Sequence, residues 1–307
     1  MAPPPPRATT PSVAASTTGR AFALVYQDDD IVVVDKAPGI LTVPTPRRER
    51  FTLVDAVSRL LSKGPRITRE ALVVHRLDRD TSGLLVFACH RAARDRLVAG
   101  WAEHQRVYSV VVAGVVVQDE GEIRSRLVTD RRTLQRRSSD RDDVGEDALT
   151  HFVVQARLDG ATLLSVRLST GRRNQIRVHL AERGHPVLGD ERYGGLSRHK
   201  RWDDRRLGLH ARSLGIAHPR TGEPLSFDIG LPASFARFVA DNPARAPGDP
   251  SIVAPPQRTT TAPTKTAPAK TQAKSTPATT AAPRSTRAPA TERDHRASAK
   301  SPRGGRR

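Results

Sequence analysis

The residues best suited to chemistry lie in a short polar loop between two apolar runs. Within residues 73–88, two arginines and two aspartates occupy positions 76–80, and Gly83 stands at the exit of the loop. The flanking runs, the second rich in β-forming residues, predict strand, exposed loop, strand. Buried strands hold a loop still, which is what a catalytic carboxylate needs. A solvated turn with surface ion pairs is the alternative interpretation of the same residues.

The elements that must position this loop follow from apolar periodicity and turn residues. β-forming runs predict strands at residues 22–26, 31–36, 106–114, 152–154, 161–168, 209–216 and 224–227. Helical spacing of apolar residues predicts helices at residues 52–61, 90–104, 171–181 and 233–240. Thr52 is the expected N-cap of the first helix, and Leu97, Val98 and Trp101 are expected on the apolar side of the second. The charged segment 120–147 is expected to form a hairpin or a mobile insertion.

Charge and composition divide the chain into three parts and indicate its partner. The formal net charge is +19 with a sequence pI of about 11.3, which favours binding to polyanions, nucleic acid first and anionic membrane second. Residues 245–307 carry thirteen Lys and Arg against three acids and have almost no large apolar side chain. We therefore expect a disordered segment at 1–20, one α+β domain at 21–242 and a disordered basic tail at 243–307.

Several classes of protein are disfavoured by what the sequence lacks. The single cysteine, Cys89, excludes an internal disulfide and a cysteine-based zinc site, and we expect it to be buried. The ten histidines show no metal-ligand spacing, so neither a metal nor another cofactor is predicted. No apolar stretch approaches the roughly 20 residues that span a bilayer, and the N-terminus does not read as a signal peptide. A cytoplasmic protein with no membrane partner is expected, and a monomer by default.

The loop belongs to a longer pattern that resembles one enzyme family. The run His-Arg-Leu-Asp-Arg-Asp-Thr-Ser-Gly-Leu-Leu at residues 75–85 closely resembles the signature loop of the RluA-type pseudouridine synthases. Further matching pieces occur in the family's order and approximate spacing, at residues 36–39, 106–108, 171–172 with 175–180, 184–190 with 193–194, 209–211 and 218–219. The resemblance extends from about residue 22 to 232. It implies the pseudouridine synthase fold, a mixed and mostly antiparallel sheet with flanking helices.

The resemblance implies an isomerase that converts uridines of ribosomal or transfer RNA to pseudouridine. Such an enzyme breaks the glycosidic bond, rotates the base and rejoins it through carbon instead of nitrogen. It needs a carboxylate at the ribose carbon, as nucleophile or as base on the sugar. Asp78 matches the family's essential aspartate. Asp80 is the rival carboxylate, and we expect it to shape the loop by accepting backbone amides or the hydroxyls of Thr81 and Ser82.

Two distant residues complete the site that the resemblance implies. Arg177 corresponds to the arginine that pairs with the aspartate, where an opposite charge keeps a carboxylate ionised. Tyr108 corresponds to the active-site tyrosine, which stacks on the flipped base and is a candidate acceptor for the proton on C5 of the uracil ring. A tyrosine in a strand is more often a core residue, so this role depends on the resemblance alone.

The resemblance also implies residues that contact RNA. Arg76 matches an arginine that fills the vacated base position or holds displaced phosphates, since a stacked uridine must leave its helix before reaction. His75, Arg106 and Gln175 are further predicted RNA or base contacts. Residues 173 and 174 are Arg and Asn where the family usually has Thr and His, which puts the contacts at this helix start in doubt. A non-catalytic RNA-binding or ribosome-assembly protein on the same fold is the alternative function.

Overall fold

The computed structural model describes residues 21–45, 51–62, 70–195, 199–203 and 206–244. All of them belong to the first of two compact units, which spans Met1–Thr259. The predictions of disorder for residues 1–20 and for the basic tail from residue 245 onward lie outside the described residues. Among those described, no helix is long and apolar enough to cross a membrane.

Eleven strands and four helices form the described part of the chain. The strands are β1 (Phe22–Gln27), β2 (Ile31–Lys36), β3 (Leu72–Val73), β4 (Ser82–Ala88), β5 (Gln105–Ala113), β6 (Glu120–Thr129), β7 (Arg136–Ser138), β8 (Glu146–Leu158), β9 (Ala161–Leu168), β10 (Leu209–Ala217) and β11 (Pro224–Asp228). The helices are α1 (Leu53–Leu61), α2 (Arg91–Ala99), α3 (Gln175–Glu182) and α4 (Ala233–Asp241). These elements confirm the predicted mixed α+β fold.

All eleven strands join one mixed sheet that is antiparallel at every described pairing except one. Its order is β1-β2-β4-β10-β5-β9-β8-β6-β7, with β3 paired to β4 and β11 paired to β10. The exception is the parallel pair of β4 and β10. Because β10 also pairs with β5, the strand that follows the polar loop and the strand of Tyr108 lie on either side of it. The topology therefore brings two regions of the sequence together at the centre of the sheet.

One glycine permits the close approach of β4 to β10. Gly83 has φ of +113°, and a Cβ at this position would lie 2.3 Å from the carbonyl oxygen of Ala211. Ala211 pairs with Gly83 on one side and with Tyr108 on the other. A larger residue at the loop exit would push the two strands apart, so the glycine sets the distance between the loop and Tyr108.

Alternating side chains place helices on both faces of the sheet. On one face, Val32 and Val34 of β2 share a cluster with buried residues of α1 and α3. On the other face, Ile31 and Val33 pack with α2, while α4 packs over Val111 of β5. Because successive strand residues point to opposite faces, both faces of the central strands are buried. Helix α3 lies on the face that carries Tyr108.

Most predicted elements are confirmed, and two helix boundaries are wrong. Thr52 caps α1 through a capping box with Asp55, and the segment 120–147 forms the ordered strands β6 and β7. Helix α2 ends at Ala99, before Gly100, whose high backbone entropy disfavours helix, and Val98 is 49% exposed. Helix α3 begins at Gln175, because the preceding residues 171–174 form a loop.

Candidate active site

A buried lysine at the end of β2 holds the polar loop through hydrogen bonds to backbone carbonyl groups. Lys36, the last residue of β2, is fully buried, and its Nζ donates to the carbonyl oxygens of Ala37, Ile40 and Arg79 at 2.8 Å each. Burial lowers the pKa of Lys36 to about 8, with nearby carboxylates, Asp80 first, opposing the shift. The side chain is therefore mainly an ammonium group at neutral pH. Its three donors tie the loop to the end of β2.

Two hydroxyl groups fix the loop on either side of its carboxylate. The Thr42 hydroxyl donates to the carbonyl oxygen of Leu77 at 2.8 Å and accepts from its amide at 3.2 Å. The Ser82 hydroxyl lies 2.9 Å from Nδ1 of His210 and 3.1 Å from a donor of Arg206. The backbone that presents residue 78 is thus held at both ends by buried partners.

The loop-shaping role expected for Asp80 is wrong. Asp80 is exposed, and it accepts no hydrogen bond from a described residue, while the Ser82 hydroxyl bonds to His210 instead. Only a charge interaction with Lys36 connects Asp80 to the frame of the loop. Asp80 therefore lies only two residues from Asp78 but in a different environment, since it is exposed and Asp78 contacts Arg177.

Asp78 faces an arginine that is itself held by a second carboxylate. Nη1 of Arg177 lies 3.3 Å from Oδ2 of Asp78, while its Nε and Nη2 each lie 2.7 Å from an oxygen of Asp190. The side chain of Asp190 is fully buried, that of Arg177 is 11% exposed and that of Asp78 is 24% exposed. The Tyr193 ring lies 5.3 Å from the guanidinium carbon. Arg177 is thus fixed on its buried side and offers one edge to Asp78.

The protonation of Arg177 follows from this double pairing. Burial alone would lower its pKa, but the hydrogen bonds and charge of Asp190, followed by those of Asp78, raise the pKa above its ordinary value. The guanidinium therefore stays charged. Because two short bonds go to Asp190 and one longer bond to Asp78, Asp190 balances more of the positive charge of Arg177 than the partly exposed Asp78 does.

Tyr108 contributes a protonated phenol to the same pocket. Its ring is 8% exposed on β5, and its hydroxyl makes no hydrogen bond to a described residue. Burial raises its pKa to about 12, while Arg106 acts to lower the pKa and Asp78 to raise it further. Tyr108 is therefore neutral at physiological pH, with its hydroxyl free for a bound group.

These side chains line one cavity of about 170 Å³ between the loop, β5 and the start of α3. Its walls are formed by Arg76, Leu77, Asp78, Thr81, Tyr108, Leu168, Gly171, Arg172, Arg173, Asn174, Gln175, Ile176, Arg177 and Leu209. Four arginines surround a single aspartate, so the cavity suits a negatively charged substrate that reacts at a carboxylate. Arg76 lines this cavity and is exposed.

Gln175 lines the cavity, but the protein already uses its amide group. Its Oε1 accepts from the Thr170 hydroxyl at 2.9 Å and from the amide of Arg172 at 3.0 Å. Its Nε2 donates to the Leu149 carbonyl and to the Thr150 hydroxyl at 3.0 Å each. Both amide hydrogens are therefore engaged within the chain. The structure gives Gln175 the contacts of a residue that fixes the start of α3.

His75 and Arg106 are not among the residues that line the cavity. The His75 ring stacks on Trp101 at 4.2 Å and accepts the amide hydrogen of Val86, and burial lowers its pKa to about 3. The Arg106 guanidinium carbon lies 5.4 Å from the centre of the Trp101 ring, and Nη2 of Arg106 donates to the Leu168 carbonyl oxygen at 3.4 Å. Both side chains thus form a layer behind the cavity. The structure does not bring them to the pocket with Asp78.

Two buried residues of the site, Asp190 and His179, are not among those predicted from the sequence. Asp190 follows the apolar run 187–189 within a family-like stretch, but no role was assigned to it. His179 is fully buried on α3, and its ring nitrogens contact the hydroxyls of Ser125 at 3.0 Å and Thr150 at 2.9 Å. These bonds join α3 to β6 and β8, and so orient the helix that carries Arg177.

One further group of titratable residues lies away from the cavity. Asp28, Asp30 and His218 are close enough together to hold a metal ion. However, Arg220 forms two bonds to Asp30 at 2.8 and 2.9 Å, and His218 lies 2.9 Å from Asp28. Since Arg220 and the His218 ring occupy the carboxylate oxygens, the group serves to join the β1–β2 turn to the turn after β10. The prediction that the chain holds no metal stays a prediction.

Known proteins resemble this chain in sequence and in fold. The family model described as RNA pseudouridylate synthase matches residues 30–182. An uncharacterized RNA pseudouridine synthase of Bacillus subtilis is 36% identical over 220 residues, covering 70% of this chain and 71% of that protein. Ribosomal large subunit pseudouridine synthase D of Pasteurella multocida is 34% identical over 230 residues, covering 70% and 69%. A solved human structure, RNA Pseudouridylate Synthase Domain Containing 1, matches with a TM-score of 0.57 and 25% identity, covering 69% and 84%.

The chain belongs to the RNA pseudouridylate synthase family. The resemblance to the RluA-type enzymes is confirmed, as are the predicted fold class and the prediction of an enzyme. The protein is therefore an isomerase that converts uridine in RNA to pseudouridine, and RNA is its partner. The alternative of a non-catalytic RNA-binding protein gives way to this assignment.

Proposed function

We propose that this chain modifies uridine in large-subunit ribosomal RNA and that Asp78 is its reactive group. The observation that carries the proposal is the contact of Asp78 with a clamped Arg177 inside an arginine-rimmed cavity. Asp78 is the carboxylate in the cavity that remains partly exposed, whereas Asp190 is fully buried behind Arg177. A reacting ribose can reach the first of these groups only.

The proposed chemistry begins with cleavage of the bond between C1′ of the ribose and N1 of the uracil. Asp78 either adds to C1′ as a nucleophile or removes a proton from the sugar, and the uracil leaves with the bonding electrons. Arg177 orients Asp78 through the 3.3 Å contact between Nη1 and Oδ2. The four arginines of the cavity offset the negative charge of the departing base and of the adjacent phosphates.

The second half of the reaction re-forms a bond after the base has turned. C5 of the uracil attacks C1′ as the bond between C1′ and Asp78 breaks or, in the base route, as Asp78 returns its proton to the sugar. The ring then loses the proton on C5, and N1 gains one. Tyr108 supports the rotating base by stacking, and its unpaired hydroxyl makes it the candidate to receive the C5 proton. Since burial raises its pKa to about 12, the neutral phenol takes the C5 proton only while its own proton passes to solvent or to N1 of the ring, which must gain one.

The choice of ribosomal RNA is supported by relatives. The synthases of Pasteurella multocida and Pseudomonas aeruginosa, 34% and 35% identical, are named for the ribosomal large subunit. Arg76 supports the proposal as an exposed cation at the cavity. We further propose a cytoplasmic monomer and a phosphate-attracting role for the thirteen cations of residues 245–307.

Mapping pseudouridine across total RNA, in cells with and without this protein, tests the substrate. We expect one or a few positions of large-subunit ribosomal RNA to lose the modification, and to regain it when the wild-type chain is restored. The Asp78→Asn chain, expressed at the same level, is the matched control and should restore none of them. Loss of modification in transfer RNA alone would contradict the ribosomal substrate.

A further inference from the structure

The turn between β6 and β7 presents an apolar side chain in an unusual conformation. Leu134 is 63% exposed and has φ of 56°, which puts it in the left-handed region. Single exposed leucines are common on protein surfaces, so exposure alone carries little. The left-handed region, however, favours Gly or Asn, and a bulky side chain there is a marked outlier. The turn thus displays a leucine at a position where its backbone favours other residues.

The turn, residues 130–135, is closed by its own hydrogen bonds. One oxygen of Asp130 accepts from the amides of Arg132 and Thr133 at 2.8 Å each. The amide of Leu134 donates to the Asp130 carbonyl at 2.9 Å, and that of Asp130 donates to the Gln135 carbonyl at 2.8 Å. The leucine is therefore held outward by a bonded turn instead of hanging from a loose loop.

The same turn is bonded to the wall of the active-site cavity. A donor of Arg173, which lines the cavity, lies 3.0 Å from the Leu134 carbonyl oxygen. Next to the turn, the amide of Arg136 donates at 3.0 Å to the hydroxyl of Tyr193, whose ring lies against Arg177. Leu134 is thus connected by one side chain to the cavity rim.

Arginines surround the exposed leucine. Arg131 and Arg132 are exposed, and within the described part of the chain neither forms an ion pair. Arg173 and Arg172 continue the positive charge toward the cavity. An exposed leucine surrounded by arginines is complementary to RNA, because RNA offers negatively charged phosphates and the apolar faces of its bases.

We propose that Leu134 is a wedge that packs against unstacked bases beside the uridine in the cavity, with Arg131 and Arg132 on the neighbouring phosphates. Apolar side chains inserted between bases are an established means of unstacking nucleic acid. The wedge would stabilise the open helix while the uridine occupies the cavity. The proposal rests on the proposed function for its RNA partner, and it adds a second protein contact to the flipping role predicted for Arg76.

Two substitutions separate the wedge from the stability of the turn. Leu134→Asn removes the apolar group and suits the left-handed conformation, so melting temperature should not fall. Leu134→Met keeps an apolar side chain and is the matched control. On a folded large-subunit RNA transcript, we expect Leu134→Asn to lower kcat/KM about tenfold, the order expected for one buried leucine, and Leu134→Met to stay within about twofold. On a short single-stranded RNA with the same uridine, both should match wild type.

A second readout needs no chemistry. The full-chain Asp78→Asn protein, with and without Leu134→Asn, is titrated into a short RNA hairpin carrying 2-aminopurine beside a loop uridine. Fluorescence should rise on binding only when Leu134 is present. Equal fluorescence in both proteins, or an equal loss of rate on folded and single-stranded RNA, would overturn the wedge. A wild-type protein that modifies no ribosomal uridine would refute the proposed substrate, while the fluorescence comparison would still decide the role of Leu134.

Discussion

Replacing Asp78 with Asn should reduce the rate of pseudouridine formation by at least about 10⁴-fold while the protein stays folded. Asn has nearly the same shape, and among the described residues the carboxylate makes one side-chain hydrogen bond, at 3.3 Å, to Arg177. The cost to folding is therefore small, on the order of 1 kcal/mol or less. The amide can neither attack C1′ nor accept a proton from the sugar. RNA affinity should be equal or slightly higher, because a negative charge is removed from a surface that faces phosphates.

Asp80→Asn provides the matched control for this substitution. It makes the same chemical change two residues away, at an exposed carboxylate that accepts no hydrogen bond from a described residue. Its rate should stay within about threefold of wild type. Single-turnover conversion of a defined RNA, with binding measured in parallel, compares the two variants. A rate for Asp78→Asn well above about 10⁻⁴ of the wild-type rate, or an equal loss in Asp80→Asn, would contradict the assignment of Asp78.

Replacing Asp190 with Asn should lower both stability and rate. The substitution removes the carboxylate that holds Arg177 by two 2.7 Å bonds in a fully buried position. Breaking a buried pair by removing one partner costs roughly 3–5 kcal/mol, since the remaining charge is left uncompensated. Arg177 also loses the contact that aims it at Asp78. Because small displacements of catalytic groups are costly, we expect the rate of the folded enzyme to fall about 10²-fold.

The exposed pair of Arg212 and Asp228 supplies a control with the same chemistry. Nε of Arg212 lies 3.0 Å from Asp228, whose side chain is 49% exposed. Asp228→Asn should cost about 1 kcal/mol or less and leave the rate unchanged. Urea unfolding and single-turnover rates at 25 °C measure both effects. If Asp190→Asn lowered stability and rate no more than Asp228→Asn, the two bonds from Arg177 to Asp190 would not position Arg177.

Local signals in the sequence predicted the loop and its scaffold. The run of β-forming residues after Gly83 and the capping residue Thr52 each specify structure through near neighbours, and the structure confirms both. The residues that the resemblance assigned to catalysis also lie together, because β10 joins the strand after the loop to the strand of Tyr108. Sequence order alone contains no signal for that pairing.

What the sequence could not reveal was how each polar side chain is partnered. Gln175 and His75 occur in family-like runs, so an RNA contact was expected of both. The structure shows a glutamine amide bonded within the chain and a neutral histidine stacked on Trp101. For Asp190 the sequence predicts no role, because its role depends on a contact with Arg177 that forms only when α3 packs on the sheet. Burial and long-range pairing decide these roles.

The departure from the family pattern at residues 173 and 174 also acquires a physical reason. Asn174 adopts the left-handed conformation just before α3, which asparagine tolerates well. Arg173 reaches the carbonyl oxygen of Leu134 on the β6–β7 turn. With Arg173 and Asn174 at the helix start, Asp78, Tyr108 and Arg177 still line one cavity. Arg173 also connects the β6–β7 hairpin to that cavity.

The most direct measurement of the central claim is a crystal structure of the Asp78→Asn chain bound to a short RNA hairpin that carries the mapped uridine. We predict a uridine turned out of its stack into the cavity, with C1′ about 3–3.5 Å from the side chain of residue 78 and the base on the Tyr108 ring. A uridine that stays stacked, or whose ribose lies against another carboxylate, would contradict the account.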